Sequence, residues 1–246
     1  MKEIITRPAI KSTWMRIEKF TVPKFKFGYT VSYSIAEEFK KRYNVLYEVI
    51  RNMPVLKNNM ITIAKGINIL YQGAVNEARG LENLVAAMHN IDAVLNIYGD
   101  GNLFEKIKDL VNGNNLQHKI LLKGKVVPEE LTSITQRAYM GINLVEPVGL
   151  NQLYSLANKF FDYVHAGVPQ VTMNFPEYKK INDEFEVALL VNTVDEIEIA
   201  SAISLLLRDA DLYSELQQNC KKARAVFNWQ QEEKKLISFY KSVFAE

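Results

Sequence analysis

INILYQGAVNEARGLENLVAAMHNIDAVLNIYGDG, residues 67–101, decides the fold. Its first run, 67–72, is short, apolar and partly β-branched, and Gly73 closes it; a stretch of helical period follows over 79–90, and a second run, 93–98, ends on Gly99. Strand, turn, helix and strand in that order make a β-α-β unit. Its two strands run parallel, because the helix carries the chain back to the starting edge.

The same unit continues along the chain. Further strands are expected over 119–123, 140–145, 168–173 and 187–191, and helices over 102–112, 128–136, 157–166, 176–182 and 195–208. Six such units predict a doubly wound α/β domain, a Rossmann-like parallel sheet with helices on both faces. Two more helices, 211–226 and 230–244, follow it, and Asn228 is placed to cap the one that begins with Trp229.

The first 56 residues stand apart. They predict a helix over 10–20, a strand over 28–33, a helix over 34–43 capped by Ser34, a strand over 46–50, and then Asn52-Met53-Pro54, which breaks regular structure before an irregular linker to about residue 66. Two strands and two helices cannot close a layered domain, so 1–56 reads as part of one.

Composition narrows the class. The 246 residues are 48% apolar and 24% charged, enough to bury a core and unlike a disordered chain. A single cysteine, Cys220, excludes an internal disulfide and suits a reducing, cytoplasmic setting, while His89, His118 and His165 lack metal-ligand spacing, so no metal is expected. The net charge is only +2, yet residues 1–27 hold seven Lys/Arg against Glu3 and Glu18. With Ile10, Trp14, Ile17 and Phe20 at helical spacing, that stretch suits peripheral contact with an anionic membrane or, the preferred reading, a helix packed on its own protein. Nucleic acid is not an expected partner, since the basic residues lack aromatic interleaving and a large charge excess.

In an open parallel sheet, ligands bind beyond the carboxyl ends of the strands. After the first strand, Gly73 permits a tight turn and Arg79 stands at the next helix, a suitable place for a diphosphate. After the second, Gly99 and Gly101 flank Asp100 and allow close backbone approach, but they do not make a dinucleotide fingerprint. GKVVPEEL, 124–131, reads as a structural turn opening a helix at Pro128. The long loop VEPVGLNQLYS, 145–155, runs into LYSLANKFFDYVHAGVP, 153–169, where Lys159 and Asp162 share one helical face, as a surface ion pair or as a ligand site.

Taken together, YQGAVNEARGLENLVAAM, IYGDG, ILLKGKVVPEEL and NKFFDYVHAGVPQV resemble the C-terminal, donor-binding half of the group 1, family 4-like retaining glycosyltransferases of the GT-B fold, in register over about 67–192. YTVSYSIAEEFKKRYN and VIRNMP look like the end of that family's N-terminal, acceptor-side domain. The resemblance implies a remnant of the acceptor domain over 1–56, a nucleotide-sugar-binding domain over 57–228, and a helix over 229–246 crossing back to the N-terminal segment, with Trp229, Phe239 and Tyr240 helping to cover residues 10–50.

For the site, it implies that Gly73 and Arg79 hold the diphosphate and Gly99 and Gly101 give backbone access; Ala74 stands where the family usually has an arginine. Asp162 falls on the second acid of the family's E-x7-E pattern and would bind the ribose. Tyr154 replaces the first acid, so Asn158 and Lys159 would take over part of its work. The implied activity is transfer of a glycosyl group, of hexosyl type, from a nucleotide-diphosphate sugar to an acceptor that the sequence does not identify, with retention and without a cofactor. A non-catalytic or split nucleotide-sugar-binding subunit is the alternative. An epimerase would need a cleft acid and base that do not stand out, and a non-sugar α/β module would bind no nucleoside diphosphate.

Overall fold

The computed structural model describes residues 7–57 and 67–245. Part of the basic segment (1–6), most of the expected linker (58–66) and Glu246 lie outside the described residues.

All six expected strands of the main sheet form: β3 (Asn68–Gln72), β4 (Val94–Tyr98), β5 (Ile120–Gly124), β6 (Met140–Asn143), β7 (Gln170–Met173) and β8 (Ala188–Val191), where β1 and β2 belong to the N-terminal segment. Every pairing is parallel, and the order across the sheet is β5-β4-β3-β6-β7-β8. The chain therefore winds outward from β3 in one direction and from β6 in the other. Between them lies the switch point, where diverging connections leave a crevice at the carboxyl ends of the strands.

The connecting helices are α3 (Leu81–Ala87), α4 (Phe104–Gly113), α5 (Pro128–Arg137), the single turn α6 (Leu150–Leu153), α7 (Asn158–His165), α8 (Pro176–Phe185), α9 (Glu196–Arg208) and α10 (Ala210–Val226), with α1 and α2 in the N-terminal segment. α3 packs against α4 and α9, and α7 against α5 and α10, giving the two layers that a doubly wound sheet requires. The core joins the strands to these helices through Ile69, Leu95, Ile142, Val171, Leu84, Phe161 and Ile203, all buried. Apolar side chains fill both faces because helices cover both.

The N-terminal segment comprises α1 (Pro8–Thr21), β1 (Tyr29–Thr30), α2 (Tyr33–Tyr43) and β2 (Glu48–Val49), the two short strands pairing in parallel. Both strands are shorter than expected, and among the described residues each pairs only with the other. Two further expectations fail here. Ser32, not Ser34, caps α2, accepting from the Ile35 N–H; Ser34 is taken by Glu177 of α8, which accepts from its hydroxyl at 2.7 Å and its N–H at 2.8 Å. Nor does α1 bury its apolar stripe against the protein: it has no buried residue, and Trp14 and Phe20 are 57% and 66% exposed.

The last helix, α11 (Trp229–Phe244), is capped by Asn228, whose side chain accepts from the Gln231 N–H. It crosses to the N-terminal segment: the Phe239 ring meets that of Tyr29 edge-on at 5.4 Å, and buried Glu232 accepts from the Arg51 N–H at 2.8 Å. Trp229 joins through its backbone, donating to the Pro54 carbonyl, while Tyr240 rests on Phe239 and stays partly exposed.

Candidate functional site

The crevice at the switch point is built from the loops after β3, β4 and β6 and from the start of α7. Tyr71 is fully buried near the end of β3, and its hydroxyl donates to the Ala74 carbonyl, which folds the turn back on the strand. Gly73 occupies the turn with φ of 125°, a region that disfavours other residues. Above it stands Lys159: its Nζ is 3.9 Å from the Tyr71 ring centroid and 3.6 Å from where a Gly73 Cβ would lie.

Gly99 and Gly101 have a more pressing role than access. A Cβ on Gly99 would lie 1.8 Å from the Gly73 carbonyl oxygen, and one on Gly101 would lie 2.4 Å from that of Val75. The β3 and β4 loops interlock, with the Val75 N–H donating to the Asp100 carbonyl and the Leu103 N–H to the Val75 carbonyl. Both glycines are thus required by loop packing, whatever they offer a ligand.

Lys159 and Asp162 are not a solvated surface pair. Both are half-buried, and each has another neighbour: Lys159 the Tyr71 ring, Asp162 the Gln72 amide, which donates to its Oδ2 at 3.0 Å. Burial, reinforced by the positive charge of Arg79 and opposed by Asp162, pushes the Lys159 ammonium down to about 7. Burial likewise pushes the Asp162 carboxyl up to about 6, against the Gln72 hydrogen bond and the Lys159 charge, both of which favour ionisation. Arg79 is half-buried just ahead of α3 and acts electrostatically on both Lys159 and Tyr71. Gly73 and Lys159 therefore lie together, with Asp162 and Arg79 within electrostatic range of Lys159. Asn158, at the start of α7, accepts from the Asn52 side chain of the N-terminal segment at 3.2 Å.

Beside Asp162 opens a cavity of about 400 Å³, lined by Gln72, Pro128, Leu131, Thr135, Asp162 and His165, with Lys57 and Arg224 on its outer wall. This size is within the range of small-molecule sites. GKVVPEEL forms the expected turn, with Gly124 at φ 70° and Pro128 opening α5, and α5 also forms one side of the cavity. Gln72 and Thr135 escaped the sequence reading. The available signal was Gln72 itself, a polar residue directly after the apolar run Ile69-Leu70-Tyr71 and buried to 2% exposure. His165 is held structurally, its Nε2 donating to the Phe227 carbonyl at 2.7 Å, with burial as the main influence lowering its pKa.

A cation at a glycine turn, a second cation behind it and a carboxylate at the mouth of a cavity agree with a sequence match over residues 57–223 to the family model described as glycosyl transferases group 1. The chain belongs to that family. This group 1 glycosyltransferase chain matches no curated protein sequence. Among solved structures it is similar to the pneumococcal O-GlcNAc transferase GtfA in complex with UDP and GlcNAc, with a TM-score of 0.71 and 14% identity over 94% of this chain and 47% of that one. Anabaena Alr3699/HepE in complex with UDP superposes with a TM-score of 0.76 at 13% identity, over 94% and 68% of the two chains. Sucrose-phosphate synthase from Thermosynechococcus elongatus gives 0.76 at 22% identity, over 95% and 62%.

At these identities the likeness is one of fold, and it bears out the doubly wound α/β class. The chain spans about half the length of GtfA and roughly two thirds of the other two. No helix among the described residues is long and apolar enough to cross a membrane.

Proposed function

We propose that the crevice binds a nucleotide-diphosphate sugar and that the chain supplies the donor-binding half of a retaining, family 4-like glycosyltransferase of hexosyl type. The observation that carries this reading is Lys159 standing over Gly73, with Arg79 and Asp162 within electrostatic range of it, and Asp162 in the wall of a cavity of about 400 Å³. Two half-buried cations within electrostatic range of each other favour an incoming anion, because a diphosphate offsets their mutual repulsion. In this reading the diphosphate lies against Arg79, Lys159 and the first turn of α7, the Asp162 carboxylate accepts from the ribose hydroxyls, and the nucleoside extends into the cavity along α5.

The chemistry would break the bond between the anomeric carbon and the diphosphate oxygen and form one to an acceptor hydroxyl oxygen on the same face, the hydroxyl proton passing to the leaving diphosphate. Negative charge develops on the leaving diphosphate. Arg79 and Lys159 are placed to stabilise it, without a cofactor.

The domain division belongs to the same proposal: an acceptor-side segment over 1–56, the donor domain over 57–228, and the crossing helix over 229–246. A second reading, a non-catalytic or split nucleotide-sugar-binding subunit, is favoured by Tyr154 at the position of the family's first acid and by the exposed apolar face of α1. That face, flanked by Lys11, Arg16 and Lys19, also suits peripheral contact with an anionic membrane, which co-sedimentation with anionic and neutral vesicles would test.

Thermal-shift and calorimetric titration with UDP, GDP and ADP tests the site, and a donor hydrolysis and transfer assay separates the two readings. Binding with turnover supports the enzyme; binding without hydrolysis or transfer supports the subunit. No stabilisation by any of the three nucleotides would remove the donor site altogether.

A further inference from the structure

Gln72 ends β3 with its side chain buried, and both ends of its amide are engaged across two helices: Nε2 donates to Asp162 Oδ2 of α7 at 3.0 Å, and Oε1 lies 2.7 Å from the hydroxyl of Thr135 on α5. We infer that Gln72, oriented by Thr135, is a positioning residue that keeps the Asp162 carboxylate ionised and aimed at the ribose of a bound nucleoside diphosphate. This rests on the donor-site reading above and extends it to a residue to which that reading gives no role.

Thr135 has a single hydroxyl proton but two acceptors, Gln72 Oε1 and the Leu131 carbonyl, each at 2.7 Å. When the proton lies on Oε1, the amide is locked with its N–H toward Asp162, an arrangement that favours the ionised carboxylate. With the proton on the Leu131 carbonyl, the amide is free to turn over, donating to Thr135 and accepting from a protonated Asp162. The relay therefore links the orientation of a buried amide to the charge state of the carboxylate. A buried amide satisfied at both ends is also held rigidly, so the carboxylate has one preferred direction.

Other charges face Asp162 and set the background. Lys159 on its own helix favours ionisation, and Arg79, in the loop after β3, acts on Lys159. Tyr71 and Tyr163 are kept neutral by burial, while His165, Arg224 and Lys57 line the cavity. None of these is hydrogen-bonded to both α5 and α7 as Gln72 is.

The test compares wild type with Gln72→Leu, Thr135→Val and Thr135→Ser. Carbon-detected NMR follows the Asp162 carboxyl titration without ligand, and calorimetry follows the affinity for UDP, GDP and ADP from pH 5 to 8. In Gln72→Leu the Asp162 titration and the acid limb of binding are expected to move up by about one pH unit, weakening affinity near pH 6.5 by about threefold. Thr135→Val should move both in the same direction by less, and Thr135→Ser, which keeps the hydroxyl, should restore the wild-type profile. Because Thr135→Val is nearly isosteric, it provides the readout if Gln72→Leu does not fold. An Asp162 titration that stays in place in the folded variants, with affinity lost evenly at every pH, overturns the positioning role while leaving the donor site standing. A wild type that binds none of the three nucleotides overturns the donor-site reading and this proposal with it.

Discussion

The Lys159 ammonium stands 3.9 Å from the centroid of the Tyr71 ring, on the side where the Gly73 turn brings the backbone close. An aromatic face stabilises a cation but cannot neutralise it, and burial with Arg79 nearby brings the group to about 7. A bound diphosphate favours the charged form. Nucleoside diphosphate binding at pH 7.5 is therefore expected to take up protons, read as a dependence of the calorimetric enthalpy on the ionisation heat of the buffer.

Replacing Lys159 by Met should weaken diphosphate binding by about 10- to 100-fold, the loss of one charge-assisted contact. Stability should move the other way. The folded-state pKa of Lys159 lies below its ordinary value, so its contribution to stability is present at high pH and is lost as pH falls through about 7. At pH 6 the variant should melt above wild type, as thermal unfolding would show.

Asp162 carries the opposite sign. Its folded-state pKa, about 6, lies above the ordinary carboxylate value, so its contribution to stability is present at low pH and is lost as pH rises through about 6. Asp162→Asn should thus be at least as stable as wild type at pH 7.5, while binding nucleoside diphosphates about 10- to 100-fold more weakly. Wild-type binding should be tightest between about 6 and 7, where Asp162 is ionised and Lys159 is charged. The acid limb should vanish in Asp162→Asn.

Gly99→Ala should destabilise the protein by about 2–4 kcal/mol, combining an unfavourable positive φ with overpacking. The added carbon would fall 1.8 Å from the Gly73 carbonyl oxygen, so the Gly73 turn must shift and nucleotide binding should weaken in parallel. Chemical denaturation and calorimetry would check the two effects.

Glu177→Ala leaves the N–H groups of Tyr33 and Ser34, and the Ser34 hydroxyl, without the buried carboxylate that accepts from them. The expected cost is about 2–4 kcal/mol. Hydrogen exchange should accelerate over residues 28–50 before the main sheet is affected, because the carboxylate joins α2 to α8.

The main sheet was legible in the sequence because a strand buried on both faces is written as a short apolar run, and each run here is followed by a glycine, asparagine or aspartate turn. Local chemistry also located Asn228 as the cap of α11, since a cap acts within one helical turn. It misplaced the cap of α2, where Ser32 and Ser34 are equally suitable in local terms. A carboxylate from α8, 143 residues away, decided between them by taking Ser34.

The amphipathic stripe of α1 was equally readable, but periodicity reports only that a face is apolar. What lies against that face is a matter of neighbouring chain, and Trp14 and Phe20 stay exposed. Gly99 and Gly101 were visible as conformational signals, yet the reason for them, the carbonyls of the adjacent β3 loop, comes from two strands lying side by side.

By itself, then, the order of residues determined the succession of strands and helices, the parallel sheet and the placing of Arg79, Lys159 and Asp162 at strand ends, because those features follow from periodicity and turn chemistry within a few residues. Tertiary structure alone decided that Arg79 and Asp162 come within electrostatic range of Lys159, that Lys159 and Asp162 are partly desolvated, and that Gln72 links Asp162 to Thr135. Burial and through-space charge depend on what the fold brings within a few ångströms, and residues 72, 135 and 162 meet only once the sheet is wound.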